Sequence, residues 1–172
     1  TFSPAMHNAG FTKLGMDACY VPFAVDPGSL ADAARAIVPL GLQGLNVTVP
    51  HKEKIIPFLH ELSEEARLIG AVNTVEVVEG RLIGHNTDGR GFLRSLTDDA
   101  RFDPRGRRFL VVGAGGAARA IGFSLALAGA AGIALTDVDG EKAEALAGDI
   151  RNKTGVSATT VRDEALETFA RA

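Results

Sequence analysis

The strongest constraint on the fold of this chain is a glycine-rich turn at residues 113–116, which stands between a strand-like apolar segment and a helix-like segment. Gly113 permits a tight turn after the strand, Gly115 lets the backbone approach a pyrophosphate, and Ala118 provides the small side chain that close helix packing needs. The amides at the start of the helix then face the phosphates. This order of elements predicts a dinucleotide-binding unit, although a glycine turn without a ligand has the same local pattern.

An acidic residue follows the turn at the spacing that such a unit requires, about 20 residues further on. Asp137 ends the second predicted strand, where a carboxylate accepts hydrogen bonds from the adenine ribose hydroxyls and repels a 2′-phosphate. It therefore favours NAD over NADP. The alternative is that Asp137 is only a turn residue before the helix that Asp139 caps. The predicted cofactor-binding residues are Gly113, Ala114, Gly115, Gly116, Ala117 and Asp137.

Short apolar runs alternate with helical patterns along the chain, which predicts an α/β fold with a mainly parallel sheet. The predicted strands are residues 20–25, 44–47, 72–78, 81–84, 108–112, 132–136 and 156–161. Residues 72–78 and 81–84 are predicted to form a hairpin around Glu79-Gly80. The predicted helices are residues 29–40, 52–59, 63–69, 88–96, 117–128, 141–152 and 163–171, and Ser29 and Ser63 are predicted to cap two of them.

The polar stretch at residues 97–107, which contains Pro104, indicates a domain boundary. We predict a substrate-binding α/β domain at residues 1–100. A doubly wound (Rossmann) dinucleotide-binding domain is predicted at residues 101–172, and only the first half of that domain is expected in this chain.

Two polar segments precede the glycine turn and carry groups that could move a proton while a nucleotide moves a hydride. Lys52 follows a predicted strand and Pro50, at a strand-to-helix junction of the kind where sites are usually built. Asp88 begins a predicted helix. Together with the glycine turn, this pair predicts a dehydrogenase. Each residue also has a plainer interpretation, Lys52 as a solvated surface lysine and Asp88 as a helix N-cap.

Charge and cysteine content narrow the class of protein. The net charge of -3 and the pI near 5.8 argue against a nucleic-acid partner. The single cysteine, Cys19, cannot form an internal disulfide, and no signal peptide or membrane-spanning apolar run is recognised, which favours the cytoplasm. The histidines show no metal-ligand spacing, so no metal is expected. We expect a small-molecule substrate, no membrane partner, and a monomer or homodimer.

Five segments, in this order, resemble the motif series of the shikimate dehydrogenase family, including its quinate/shikimate branch. They are Ser3-Pro4-Ala5-Met6-His7-Asn8, Asn46-Val47-Thr48-Val49-Pro50-His51-Lys52, Gly70-Ala71-Val72-Asn73-Thr74, Asn86-Thr87-Asp88-Gly89-Arg90-Gly91 and Gly113-Ala114-Gly115-Gly116-Ala117-Ala118-Arg119-Ala120. The resemblance extends over essentially the whole chain. It implies an oxidoreductase of aromatic amino acid biosynthesis that reversibly oxidises shikimate to 3-dehydroshikimate with NAD or NADP, and a second reaction from quinate to 3-dehydroquinate.

The resemblance also implies roles for individual residues. Lys52 and Asp88 match the catalytic pair of the family, with Lys52 moving the proton and Asp88 orienting the lysine and the substrate hydroxyl. The residues that match the binding site of the cyclitol acid are Ser3, Thr48 and Asn73, with Thr1 where the family usually has a serine. Arg119 either touches phosphate or is a solvated helix residue, and His51 is either a loop residue or tunes Lys52.

The chain departs from the family pattern in two respects. NADP-dependent members commonly carry Asn-Arg-Thr after the second Rossmann strand, where the arginine grips the 2′-phosphate, but this chain has Asp137-Val138-Asp139. Family members are also longer at both ends. Three alternatives therefore stay open: an NAD-linked quinate/shikimate dehydrogenase, an NADP-linked biosynthetic enzyme, and a truncated module that binds substrate or nucleotide without turnover.

Overall fold

The computed structural model describes residues 1–161, which form two sheets with helices packed against them. The strands are β1 (Gly44–Asn46), β2 (Glu61–Leu62), β3 (Thr74–Val78), β4 (Arg81–His85), β5 (Arg108–Val112), β6 (Gly132–Thr136) and β7 (Ala158–Thr160). The α-helices are α1 (Ser3–Leu14), α2 (Leu30–Ala36), α3 (Glu64–Ile69), α4 (Asp88–Arg94), α5 (Gly116–Leu127) and α6 (Gly140–Thr154). The helix predicted at residues 163–171 lies outside the described residues.

The first sheet has the strand order β1-β3-β4-β2 and is mixed. β1 and β4 both run antiparallel to β3, and only the β2–β4 pair is parallel, so the expectation of a mainly parallel sheet is wrong for this half of the chain. β3 and β4 are antiparallel because they form the predicted hairpin around Glu79-Gly80, which is confirmed. Glu79 and Gly80 have φ of 50° and 74°, the two left-handed positions that a tight hairpin turn between twisted strands requires.

The strand predicted at residues 20–25 is wrong, because that segment joins no sheet within residues 1–161. The side chain of Asn8 instead satisfies the backbone of Tyr20. Asn8 Oδ1 accepts from the amide at 2.7 Å, and Asn8 Nδ2 donates to the carbonyl at 2.9 Å. A strand-like composition favours an extended backbone, but a strand also needs a neighbouring strand to hydrogen-bond with. The backbone of Tyr20 hydrogen-bonds to the side chain of a helix residue instead.

Two predictions about helices in the first half also need correction. Residues 52–59 form turns and one short 3-10 turn, Ile56–Phe58, because Pro57 has no amide hydrogen to continue an α-helix. Ser29 precedes α2 but makes no side-chain cap bond, since it lies in a 3-10 turn rather than in extended backbone. Ser63 is confirmed as a cap, and its side chain accepts a hydrogen bond from the amide of Ala66.

The second sheet has the order β5-β6-β7 with every pair parallel, and α5 and α6 provide the two crossovers. This is the first half of a doubly wound fold, as predicted. Fully buried side chains, among them Phe123, Leu135 and Leu146, fill the space between the sheet and its helices. Asp139 caps α6 as expected, because its side chain accepts from the amide of Lys142.

The halves of the chain are packed together along α5. Ile69 and Ala71, at the end of α3, belong to the same buried apolar cluster as the second sheet and its helices. α4 crosses α5 closely at Gly89, where an added Cβ would lie 2.9 Å from the carbonyl oxygen of Ala120. This contact places the beginning of α4 beside the beginning of the dinucleotide unit. None of the helices within residues 1–161 is both long enough and apolar enough to span a bilayer.

Candidate active site

The centre of the candidate site is an ion pair between Lys52, in the turn segment after β1, and Asp88, the first residue of α4. Lys52 Nζ donates to Asp88 Oδ2 at 2.6 Å, and the two side chains are 13% and 27% exposed. Both plainer interpretations are wrong. Lys52 is not solvated, and Thr87 rather than Asp88 occupies the N-cap position, which leaves the Asp88 carboxylate to pair with the lysine.

Asn73 holds the other side of the Asp88 carboxylate. Its Nδ2 donates to Asp88 Oδ1 at 2.8 Å and to Thr87 Oγ1 at 2.9 Å, and its Oδ1 accepts from the amide of Thr87 at 3.0 Å. An amide group has two N–H donors, and both point toward acceptors of the protein. Asn73 therefore orients Asp88, and Asp88 in turn orients Lys52.

A hydrogen-bonded chain connects this centre to α1. Thr74 Oγ1 donates to Asn73 Oδ1 at 3.1 Å and accepts from Asn46 Nδ2 at 3.2 Å. Tyr20 OH donates to Asn46 Oδ1 at 3.1 Å, and Asn8 holds the backbone of Tyr20. Sequence reasoning did not assign these linking residues to the site. The available signal was the placement of Asn8, Asn46 and Thr74 inside the three motifs that precede Asp88.

The hydroxyls of Thr1 and Ser3 lie together at the start of α1. Thr1 Oγ1 donates to Ser3 Oγ at 3.0 Å and accepts from the Ser3 amide at 3.3 Å. Thr48 is exposed in the loop after β1, where its carbonyl accepts from the His51 amide at 2.8 Å. No hydrogen bond in residues 1–161 joins these three hydroxyls to Lys52 or Asp88, so they remain available to a ligand.

The side chain of His51 hydrogen-bonds to the backbone and not to the amine of Lys52. Its Nε2 donates to the carbonyl oxygen of Val25 at 2.8 Å. The ring thereby attaches the extended segment at residues 20–25 to the loop that carries Lys52. The interpretation as a structural loop residue accounts for this contact.

Asp137 joins the glycine turn to the end of β6. The Gly113 amide donates to the Thr136 carbonyl at 2.6 Å, and the Ala114 amide donates to Asp137 Oδ2 at 2.7 Å. Asp137 Oδ1 accepts from the Asp139 amide at 2.8 Å. A carboxylate has about four lone-pair positions, so Asp137 can keep these bonds and still accept from two hydroxyls of a ligand.

The beginning of α5 fits a dinucleotide pyrophosphate. Gly113 has φ of 104°, a conformation that favours glycine and turns the chain sharply from β5 toward α5. Gly115 is the N-cap, and no side chain caps the helix, so the amides of its first turn are available to an anion. The space over Gly115 is open, because an added Cβ there would meet no heavy atom within 4 Å.

Negative charge surrounds the residue that follows Asp137. Val138 is fully exposed, and Asp139 pairs with Lys142 at 3.0 Å. The hydrogen bond with Asp139 is the main cause that raises the pKa of Lys142, and the charges of Asp137 and Glu53 raise it further. Glu53 is therefore close enough to Lys142 for its negative charge to act on the same ammonium group as the two aspartates. One lysine among three carboxylates is a poor receptor for a phosphate dianion.

The interpretation of Arg119 as a solvated helix residue is wrong, because the protein holds its guanidinium. The side chain of Arg119 is 12% exposed, its Nε donates to the Ile69 carbonyl at 2.8 Å, and one terminal nitrogen donates to Asp149 Oδ2 at 2.5 Å. Lys153 Nζ donates to the neighbouring Leu68 carbonyl at 2.9 Å. Two cations from α5 and α6 thus bind the carbonyls at the end of α3, where the helix dipole favours positive charge.

Comparisons with known proteins agree with the resemblance seen in the sequence. Residues 1–75 match the family model of the shikimate dehydrogenase substrate binding domain. The chain is 52% identical over 161 residues to a shikimate dehydrogenase (NADP(+)) of Desulforamulus reducens, a match that covers 94% of this chain and 55% of the relative. The chain thus spans about half the length of the curated relatives it matches.

Solved structures show the same likeness. A shikimate 5-dehydrogenase from Listeria monocytogenes, in complex with shikimate and NAD, is 38% identical with a TM-score of 0.88 over 99% of this chain and 60% of that one. A quinate dehydrogenase from Corynebacterium glutamicum, in complex with NAD, is 33% identical with a TM-score of 0.87 over 100% of this chain and 63% of that one.

Proposed function

We propose that this chain is a member of the shikimate dehydrogenase family, and that the protein reversibly oxidises shikimate to 3-dehydroshikimate with a nicotinamide dinucleotide. The match of residues 1–75 to the family model and the 52% identity to a curated member support this proposal. The observation that carries the proposal is the 2.6 Å contact between Lys52 and Asp88, at the point where α4 packs against the helix that follows the glycine turn. A proton-transfer group and a dinucleotide turn are what the dehydrogenation of an alcohol requires.

Lys52 is the group that moves the proton. The bound dinucleotide supplies the acceptor for the hydride that leaves C3. In the oxidation, Lys52 takes part as the neutral amine, whose Nζ lone pair accepts the proton of the C3 hydroxyl as the hydride leaves. In the reverse direction the Lys52 ammonium returns that proton to the ketone oxygen. Asp88 accepts a hydrogen bond from one N–H of the ammonium, so the other two N–H groups stay available to the substrate oxygen.

The remaining polar groups bind and orient the substrate. We assign the hydroxyls of Thr1 and Ser3, which adjoin one another at α1, to the substrate carboxylate, and Thr48 to the ring hydroxyls. Asn73 acts mainly through Asp88, since its amide hydrogens point to Asp88 and Thr87. A site of this kind rejects analogues that lack the hydroxyls, because the polar groups that a bound ring covers would be left unpaired.

NAD is the proposed cofactor in preference to NADP. The phosphate-binding turn consists of Gly113, Ala114, Gly115 and Ala117. The carboxylate of Asp137 accepts hydrogen bonds from the ribose hydroxyls. The charges around the exposed Val138 support this preference, because a 2′-phosphate there would meet Asp137, Asp139 and the field of Glu53. The Listeria relative was crystallised with shikimate and NAD, which also supports it. In contrast, the curated relative from Desulforamulus is named a shikimate dehydrogenase (NADP(+)), so the cofactor preference requires its own test.

Dehydrogenase assays on the protein expressed from its complete natural gene test the activity. We expect reduction of NAD with shikimate, and Lys52→Met should lower kcat by about 100-fold or more, the contribution typical of a positioned acid–base group. Lys54→Met is the matched control, because Lys54 is an exposed lysine in the same segment. Normal turnover by Lys52→Met would refute the assignment of the proton. Binding of shikimate or dinucleotide without any turnover would instead favour the non-catalytic module.

The same assays test the cofactor and a second substrate. Val138→Arg should raise kcat/KM for NADP relative to NAD by about 10-fold or more, because a charge-assisted bond to phosphate contributes about 1.5–3 kcal/mol. Val138→Gln is the control of similar length without charge. Faster reduction of NADP by the unaltered protein would refute the role of Asp137. Quinate is assayed beside shikimate, because the likeness to the Corynebacterium quinate dehydrogenase supports it as a second substrate.

The wider organisation follows from this proposal. We assign substrate binding to residues 1–100 and dinucleotide binding to residues 101–172, with the site between them. A cytoplasmic location and a monomeric or homodimeric state are part of the same proposal.

A further inference from the structure

Gly116, the first residue of α5, lies directly against the side chain of Lys52. A Cβ added at Gly116 would lie 2.8 Å from Lys52 Cβ, 3.1 Å from Lys52 Cδ and 3.5 Å from Ala71 Cβ. Carbon atoms that are not bonded to each other pack at about 3.5–4.0 Å. The stem of Lys52 therefore occupies the space that a side chain at Gly116 would need.

Lys52 has little freedom to move aside. Its carbonyl oxygen accepts a hydrogen bond from the Val72 amide at 2.7 Å, which holds the backbone, and Asp88 holds its Nζ at 2.6 Å. The atom nearest to a Cβ added at Gly116 is Lys52 Cβ, which is fixed by the backbone and does not move when the side chain changes rotamer. A side chain at Gly116 would therefore displace the loop of Lys52 or the first turn of α5.

We propose that Gly116 is a positioning residue for Lys52. Because Gly116 has no side chain, the first turn of α5 lies on the stem of Lys52 and keeps Nζ in contact with Asp88. Gly115 differs in this respect, since an added Cβ there meets open space. The glycine turn thus has two functions, with Gly115 serving the cofactor and Gly116 serving the proton-transfer group. The inference revises the expectation that Gly116 is simply a cofactor-binding residue.

The test compares Gly116→Ala with Gly140→Ala in the protein expressed from its complete natural gene. Gly140 is the matched control, because it is also the first residue of a helix but has nothing within 4 Å of an added Cβ. In the cofactor-free protein, modification of Lys52 by trinitrobenzenesulfonate is followed by mass spectrometry of the peptide that contains it. We expect a several-fold faster modification of Lys52 in Gly116→Ala and no change in Gly140→Ala.

Kinetics provide the second readout, which rests on the proposed function. We expect Gly116→Ala to lower kcat by about 100-fold, the effect of misplacing a reacting group by about 1 Å, and to change KM for the dinucleotide by a much smaller factor. Unchanged reactivity of Lys52 together with a raised dinucleotide KM would overturn the inference. If the unaltered protein has no turnover, the proposed function fails, but the reactivity of Lys52 still decides the inference.

A variant that does not fold is also informative. Lys52→Gly removes the stem, so the double variant Gly116→Ala/Lys52→Gly should recover the urea midpoint of Lys52→Gly alone. Failure to recover it would show that the added methyl group clashes with something other than Lys52, and this too would overturn the inference.

Discussion

Replacing Arg119 with methionine should destabilise the protein without any direct effect on dinucleotide binding. The guanidinium is 12% exposed and donates to the Ile69 carbonyl at 2.8 Å and to Asp149 at 2.5 Å. Methionine preserves much of the apolar stem but leaves the carbonyl without its charged donor. A buried hydrogen bond to a charged group contributes about 1.5–3 kcal/mol.

The second partner adds less. The side chain of Asp149 is 40% exposed, so water can solvate it after the substitution, and the lost ion pair is worth about 0–1 kcal/mol. The expected decrease in the free energy of unfolding is therefore about 1.5–4 kcal/mol. Urea denaturation measures it, and hydrogen exchange should show faster exchange in α3, whose last carbonyls Arg119 and Lys153 bind.

Arg105→Met is the control, because Arg105 also makes short hydrogen bonds to an aspartate but is exposed to solvent. Arg105 makes hydrogen bonds of 3.0 and 2.8 Å to Asp103, but the two side chains are 78% and 57% exposed. Its loss should leave the free energy of unfolding nearly unchanged, because water and salt screen this exposed pair. Equal effects of the two substitutions would refute the reasoning. A raised dinucleotide Kd with unchanged stability would show that Arg119 binds phosphate after all.

Three further predictions concern Asn86, Gly89 and Asp139. Asn86→Leu should lower the free energy of unfolding by about 2–4 kcal/mol in urea, because the buried amide holds two backbone groups, one of them the Asp88 amide. Asn86→Asp should lose at least as much, because it buries a carboxylate against the Ala71 carbonyl oxygen. Gly89→Ala should lose about 1–3 kcal/mol in the same assay through overlap with Ser124, and Ser124→Ala should restore part of it. The hydrogen bond from Lys142 lowers the pKa of Asp139, so this carboxylate stabilises the fold above its ordinary titration range and less as pH falls through its lowered pKa. Thermal midpoints of Asp139→Asn and the unaltered protein should therefore converge in acid, and a gap that stays constant with pH would contradict this.

Local patterns in the sequence were sufficient for much of the fold. The elements from β5 to β7 have nearly the predicted bounds, because a glycine turn, two apolar strands and two amphipathic helices in βαβ order admit one common arrangement. The hairpin around Glu79 and Gly80 was predicted for the same reason, since its turn conformation is a property of neighbouring residues.

The failures occurred where an element depends on a partner distant in the chain. Residues 20–25 have the composition of a strand, but their backbone hydrogen-bonds to Asn8 and to His51 rather than to a sheet. The mixed direction of the first sheet was missed because alternation of apolar residues identifies a buried face and carries no information about strand direction.

Five motifs in a fixed order name the residue types that the candidate site can contain, and they place a glycine turn of the dinucleotide-binding kind after Lys52 and Asp88 in the chain. Which of these side chains meet depends on the packing of the folded chain. Lys52 and Asp88 are 36 positions apart, and Arg119 binds a carbonyl 50 positions away. Such contacts depend on how α3, α4 and α5 pack, and small residues at the crossings, Gly89 and Gly116, decide how closely the helices approach. Packing of this kind depends on the shapes of distant surfaces, which no local pattern specifies.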